Sequence, residues 1–150
     1  MKISKIFTAI LVLVVVSCVG VAVAAEASIE GHTFTIPDGF NLSDSSDDMV
    51  ILQQEDNHAI VIMMSDEVSS VEDAKENLES KGYTFTSSKT CKAHGKDVIQ
   101  QNYETPDLTI MAYVLDVGSE KCIVTYTIPS SETPPEGCDN PATVILNTIE

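Results

Sequence analysis

Arginine and tryptophan are absent from this chain, and lysine is its only strong cation, with eight copies against 23 acidic residues. A protein that grips nucleic acid needs cationic groups to displace condensed counterions, so a chain at net −15 repels phosphate. Anionic membrane surfaces are disfavoured for the same reason. Cationic partners, divalent ions or simple colloidal solubility remain open. Catalytic signatures are missing too: there is no Gly-x-Ser-x-Gly, no His-Glu-x-x-His and no phosphate-cradling glycine loop. The three histidines stand apart from any obvious serine or carboxylate pair, so hydrolysis lacks a nameable base. Internal repeats are absent, and long hydrophobic runs are absent everywhere but at the start.

That one run is informative. Lys2 and Lys5 precede an uncharged stretch over residues 6–25 that closes on Ala22-Val23-Ala24-Ala25, with Glu26 next. A positive start, an apolar middle and a small-residue end make residues 1–25 a signal peptide or an N-terminal membrane anchor. Three fates are open. Cleavage after Ala24 or Ala25 releases the remainder. Retention leaves an anchor of about 20 residues, enough to span a bilayer with its positive end inside. Val15-Val16-Ser17-Cys18 fits a loose lipobox, so cleavage before Cys18 and lipidation of its thiol is the third; a small cysteine in an apolar helix explains Cys18 equally well. In each case residues 26–150 lie outside the cytoplasm, secreted or on the outer side of the cell membrane, and membrane contact is confined to the N-terminal segment. Residues 6 to about 23 are expected to form an apolar helix detached from the domain. Without the leader's two lysines, six lysines face 23 acids, a net charge of −17.

Residues 26–150 suffice for one domain with an adequate core. An alternating strand is predicted over 29–36, ending at the turn Pro37-Asp38-Gly39, with Phe40 as a core plug. Apolar runs at 49–54 and 59–64, separated by Glu55-Asp56-Asn57-His58, read as a hairpin whose second strand is covered on both faces. Ser69-Ser70 caps a helix with Glu72 and Asp73 in its first turn and Gly82 as its stop. Val71, Ala74 and Leu78 form its apolar stripe, and Lys75 is expected to pair with Glu79. Strands over 83–91, 97–104, 108–117 and 121–128 are joined by turns too short for anything but antiparallel neighbours, so they form a meander. A Pro-, Ser- and acid-rich loop spans 129–140. Asn140-Pro141 then opens a helix carrying Ala142, Ile145, Leu146 and Ile149, with a strand as the alternative. The fold class is α+β, an antiparallel sheet of about six to seven strands packed with two helices.

The phrase Phe34-Thr35-Ile36-Pro37-Asp38-Gly39-Phe40, the following hairpin, the helix and the long meander ending in a helix resemble the PsbP-like superfamily, which includes the lipoprotein DcrB. Small secreted proteins of methanogenic archaea are similar, again with an Ile-Pro-Asp-Gly-Phe start. The resemblance covers nearly all of 26–150 as element order plus that motif. It implies the fold and, for function, non-enzymatic binding or assistance to larger assemblies at membranes; no family functional residue maps onto this chain.

Beyond the leader the cysteines are Cys91, Cys122 and Cys138. In an oxidising compartment two of three pair. Cys122 is in register with Val124, Tyr126 and Ile128 and so points into the core. Cys91 ends a strand and Cys138 lies in the adaptable loop, favouring Cys91–Cys138 over the alternative Cys122–Cys138. Cys91 and Cys122 sit on meander strands separated by two others.

Cys91-x-x-His94 has the form of a nucleophilic pair or a fragment of a zinc site, but further zinc ligands are not arranged nearby, and a disulfide cysteine beside a turn histidine is the simpler reading. Asp44, Asp47 and Asp48 offer hard oxygens to calcium, without EF-hand spacing, and a solvated turn accounts for them. Met49, Met63 and Met64 are soft copper ligands in kind, though methionine in apolar strands ordinarily fills core. Asn41-Leu42-Ser43 is an N-glycosylation acceptor. No catalytic, cofactor-binding or metal-binding residue is assigned.

These observations predict an extracytoplasmic, non-enzymatic binding or assembly-assisting domain that requires no cofactor. Its partner is an envelope or extracellular protein or a small ligand, and not nucleic acid. The alternative is an enzyme whose site is assembled from scattered residues, with Cys91, His94 or the loop acids as candidates.

Overall fold

A computed structural model describes residues 24–150. The expected helix over residues 6 to about 23 and the lipidation candidate Cys18 lie outside the described residues. Among the described residues, two sheets and two helices make up the domain, which is α+β, with every strand pairing antiparallel.

The first departure from expectation is at residues 29–36. Instead of one strand, the chain forms a tight hairpin of β1 (Glu26–Ile29) and β2 (His32–Thr35), a two-stranded sheet of its own. Glu30 and Gly31 both take positive φ, 47° and 83°, the geometry of a two-residue turn whose twist matches its strands. The alternation of His32, Phe34 and Ile36 is genuine, but it begins after that turn.

The second departure is β3 (Asn41–Ser45), read from sequence as a polar loop. It is the edge strand of the main sheet, bulged between Leu42 and Asp44, and its polar residues suit an exposed edge. Next come β4 (Met49–Gln53), β5 (Ala59–Ser65), α1 (Val71–Ser80), β6 (Thr84–Ala93), β7 (Lys96–Glu104), β8 (Leu108–Val117), β9 (Glu120–Pro129) and α2 (Pro141–Thr148). The main sheet has seven strands in the order β3-β4-β5-β9-β8-β7-β6. With the separate hairpin there are nine strands among the described residues, more than expected. The β6–β9 meander and both helices are where the sequence places them.

One pairing joins the two halves. β5 runs antiparallel to β9 over seven residue pairs, from Ala59↔Thr127 to Ser65↔Lys121. The chain then leaves the sheet centre, and α1 carries it across to the far edge, where β6 lies parallel to β5 in direction. Ser70 accepts the Asp73 amide at the start of α1. At its end Gly82 N–H bonds Glu79 O and Tyr83 N–H bonds Leu78 O, and Gly82 takes φ 93°. That is the paired closure for which a glycine stop is needed. Lys75 does not pair with Glu79. Its ammonium lies 4.3 Å from the Phe85 ring centroid, because α1 packs over β6 and turns Lys75 toward the sheet.

The register sorts side chains into two layers. Ile60, Ile62 and Met64 of β5 lie beside Tyr126, Val124 and Cys122 of β9, and this face is covered by the β1–β2 hairpin and α2. The other face carries Met63, Ile123, Val114, Ala112 and Ile110 and is covered in part by α1. β5 is therefore covered on both faces, as its continuous apolar run implies.

A chain of hydrogen bonds crosses the larger core. The α2 cap Asn140 accepts the Ala142 amide at Oδ1 and donates from Nδ2 to the Tyr113 hydroxyl, 2.7 Å away. Tyr113 donates to Gln100 Oε1 at 2.7 Å, Gln100 Nε2 donates to Asn102, and Asn102 donates to Ser87. Burial pushes the Tyr113 pKa to about 12, so the hydroxyl stays protonated and donates. No fully buried side-chain nitrogen or oxygen among the described residues lacks a hydrogen-bond partner.

Cys91 is bonded to Cys138, closing a loop with a sequence separation of 47. The alternative Cys122–Cys138 is not formed: Cys122 is free and fully buried on β9, with β8 and β7 between it and β6. Lys89 reinforces the crosslink by donating from Nζ to the carbonyls of Glu136 and Gly137.

Three outcomes follow. Cys138→Ser lowers unfolding free energy by up to about 4 kcal/mol from loop closure, read as a lower denaturation midpoint. Alkylation of the native protein leaves Cys122 unmodified, since burial raises its thiol pKa to about 12. Denaturation without reductant, followed by peptide mapping downstream of residue 25, labels Cys122 alone. Tyr113→Phe costs about 1–3 kcal/mol in thermal or chemical denaturation, because Gln100 and Asn140 lose their shared buried partner.

Candidate functional site

A concavity lies at the ends of β4 and β5, between the Glu30–Gly31 turn on one side and α1 on the other. Its volume is about 830 Å³, within the range of ligand sites, and it opens to solvent. Each wall has a local cause. Ser65 Oγ at the end of β5 accepts the amides of Glu67 and Val68, which curls the link to α1 and sets Asp66 and Glu67 on the rim. The Met64 amide bonds the Asp48 carbonyl at 2.9 Å, pinning the β3–β4 turn against the end of β5. Met49 and Met63 are directly opposite each other across the β4–β5 pair and form the floor with Val68 and Ile123.

Two sequence candidates that seemed unrelated therefore meet. Asp47 and Asp48 from the acidic run and Met49, Met63 and Met64 from the apolar strands line one groove. Asp44 is not part of it; it lies on β3 opposite Ile51 and accepts the Ser45 amide. Glu30, Asp66 and Glu67 complete the rim, and sequence reasoning missed them, since only the folded hairpin brings Glu30 within reach of Asp48 and Asp66. Among the described residues no group of three or more His, Cys, Asp or Glu side chains is placed to hold a metal ion.

Charge is concentrated here. Partial burial raises the Glu30 pKa above 4.5, and the neighbouring carboxylates of Glu120, Asp48 and Asp66 push it the same way. Lys81 is the single cation in the lining.

The remaining candidates disperse. Cys91 is consumed by its disulfide, and His94 sits exposed in the β6–β7 turn with its amide bonded to Asn147 Oδ1, so these two do not form a nucleophilic pair. Asn41 is exposed on the edge strand β3. One further cluster had no sequence signal: His58 Nδ1 lies 2.8 Å from the Tyr126 hydroxyl, and His58 Nε2 lies 2.7 Å from Glu132 Oε2. An ionised carboxylate only accepts, so Nε2 donates to Glu132. Burial, with the nearby Glu132 charge, raises the Tyr126 pKa and keeps the phenol protonated. The cluster ties the loop after β9 to the β4–β5 turn across 74 residues of sequence.

Comparison with protein-family models and with curated proteins finds no match for this chain.

The Glu30 shift has a testable sign. The folded chain holds this proton more tightly than the unfolded chain, so ionising Glu30 opposes folding. The penalty is absent below about pH 4.5, grows as pH rises past that value, and is complete above the raised folded-state pKa. Glu30→Gln therefore raises the melting temperature at pH 7, and the advantage vanishes in melts carried out below pH 4.

Proposed function

We propose that this chain is a non-enzymatic binding or assembly-assisting domain that works outside the cytoplasm and takes its ligand in the acidic groove beside α1. The observation that carries the reading is the groove itself, a cavity of about 830 Å³ whose apolar floor is ringed by carboxylates. A rim of like charges is a cost to the fold, and it is worth keeping when a ligand relieves it.

Placement outside the cytoplasm is supported by the Cys91–Cys138 bond, since such bonds persist in oxidising compartments, and by the leader-like residues 1–25. No helix among the described residues is long and apolar enough to cross a membrane. A PsbP-like assignment is part of this reading and rests on the Phe34–Phe40 phrase and the element order read from the sequence. The non-enzymatic reading is supported by the fate of the candidate nucleophiles. Cys91 is bonded, Cys122 is buried with a pKa near 12, and Tyr126 is a buried, protonated phenol.

Asn77 is exposed on α1 and lines the groove, so Asn77→Trp plugs it from a helix face that tolerates the change. Immobilised full-length chain and this variant, with matched melting temperatures, are each incubated with a native envelope extract. The expected result is a specific component retained by the unmodified chain and lost on Asn77→Trp. Identical retention by both proteins removes the groove as the ligand surface.

A further inference from the structure

Resting on the groove as the ligand surface, we propose that its occupant is a basic, apolar-anchored segment of a partner protein: lysine or arginine side chains on the carboxylate rim, with an aliphatic side chain on the methionine floor.

Five carboxylates line the groove, from Glu30, Asp47, Asp48, Asp66 and Glu67, against the one ammonium of Lys81. Among the described residues none of these five is paired with a lysine; the lysine–carboxylate pairs are Lys92–Asp97 and Lys121–Asp116, while His32 and His58 lie against Glu120 and Glu132. Among the described residues Lys75 lies over Phe85 and Lys89 donates to the loop carbonyls, so neither serves the rim. The five rim carboxylates outnumber the one cation beside them, and a partner drawn to them must be positive. Burial first, and then the carboxylates of Glu120, Asp48 and Asp66, raise the proton affinity of Glu30, and a cation beside it would relieve the second of these.

The floor narrows the class. Met49 and Met63 present adaptable thioethers beside Val68 and Ile123, a surface that accommodates varied aliphatic side chains. A metal ion alone lacks a set of three or more ligands here. An anion meets the rim head on, and a purely apolar ligand would desolvate carboxylates without repayment. A small polyamine satisfies the rim but has no side chain for the floor. The groove is open rather than enclosed, which suits a segment of chain lying along it better than a small molecule needing burial on all sides.

The test uses full-length protein and three labelled synthetic peptides of equal length, alternating Lys–Leu, Lys–Ser and Glu–Leu, followed by fluorescence anisotropy. Lys–Leu is expected to bind at least about tenfold more tightly than Lys–Ser, with no binding of Glu–Leu. Its affinity falls with added salt. It also drops about tenfold or more in a Glu30→Gln, Asp48→Asn, Asp66→Asn triple variant, and is lost in Asn77→Trp. Equal binding of Lys–Leu and Lys–Ser, displacement by spermidine at equal potency, or unchanged affinity in the triple variant overturns the proposal. If Asn77→Trp abolishes retention of an envelope component while Lys–Leu fails to bind, the groove stands as a ligand surface and the basic-segment assignment falls. If Asn77→Trp leaves both retention and Lys–Leu binding unchanged, both fall.

Discussion

The β5–β9 pairing is the constraint on which the rest of the molecule depends. It joins strands separated by α1 and three further strands in sequence, and it sets Ile60, Ile62 and Met64 against Tyr126, Val124 and Cys122 in the fully buried layer. Because the side-chain period of a strand is two, a slip of one residue would exchange Met63 with its buried neighbours and move the groove floor to the wrong face. The same pairing forces the crossover. Once β5 and β9 are neighbours, the chain can reach β6 only by passing over the sheet, and α1 is that passage. The groove is the space left between this crossover and the ends of the strands it departs from.

Stability and openness are distributed unevenly around that axis. The hairpin and α2 cover one face almost completely, tied by reciprocal bonds between Thr33 and Glu150 and by the Asn140–Tyr113–Gln100 chain. The disulfide and the Lys89 clamp hold the loop before α2 against β6. On the opposite face the short helix α1 buries only Ala74 completely. A face sealed by two elements and crosslinked is suited to be scaffold. A face covered by one narrow helix leaves adaptable apolar surface within reach of a ligand, and the groove lies there.

Much of this was legible in the residues. Ser70 and Gly82 bound α1, Asn140-Pro141 starts α2, and the short turns dictate an antiparallel meander, because caps and tight turns are local chemistry. The register of Cys122 with Val124 and Tyr126 indicated its burial, and the strand-end and loop positions of Cys91 and Cys138 indicated their pairing. Two elements were hidden. The strand expected over 29–36 runs through the Glu30-Gly31 turn and omits most of β1, because Glu30-Gly31 is a weak turn signal beside an alternating pattern. β3 reads as a loop because Asn41, Ser43, Asp44 and Ser45 have poor strand propensity, and an edge position tolerates that.

What the sequence by itself determined is whatever depends on near neighbours: the helix ends, the tight turns, the strand faces, the acidic charge and the expected disulfide. Only tertiary structure decided which distant residues share a site. Asp48 and Met49 adjoin in the chain, but Glu30, Met63 and Asp66 reach them through hairpin closure and the β4–β5 register. His58 meets Tyr126 and Glu132 only after β5 has paired with β9. Such meetings are set by the packing of layers against one another, and no local propensity encodes them.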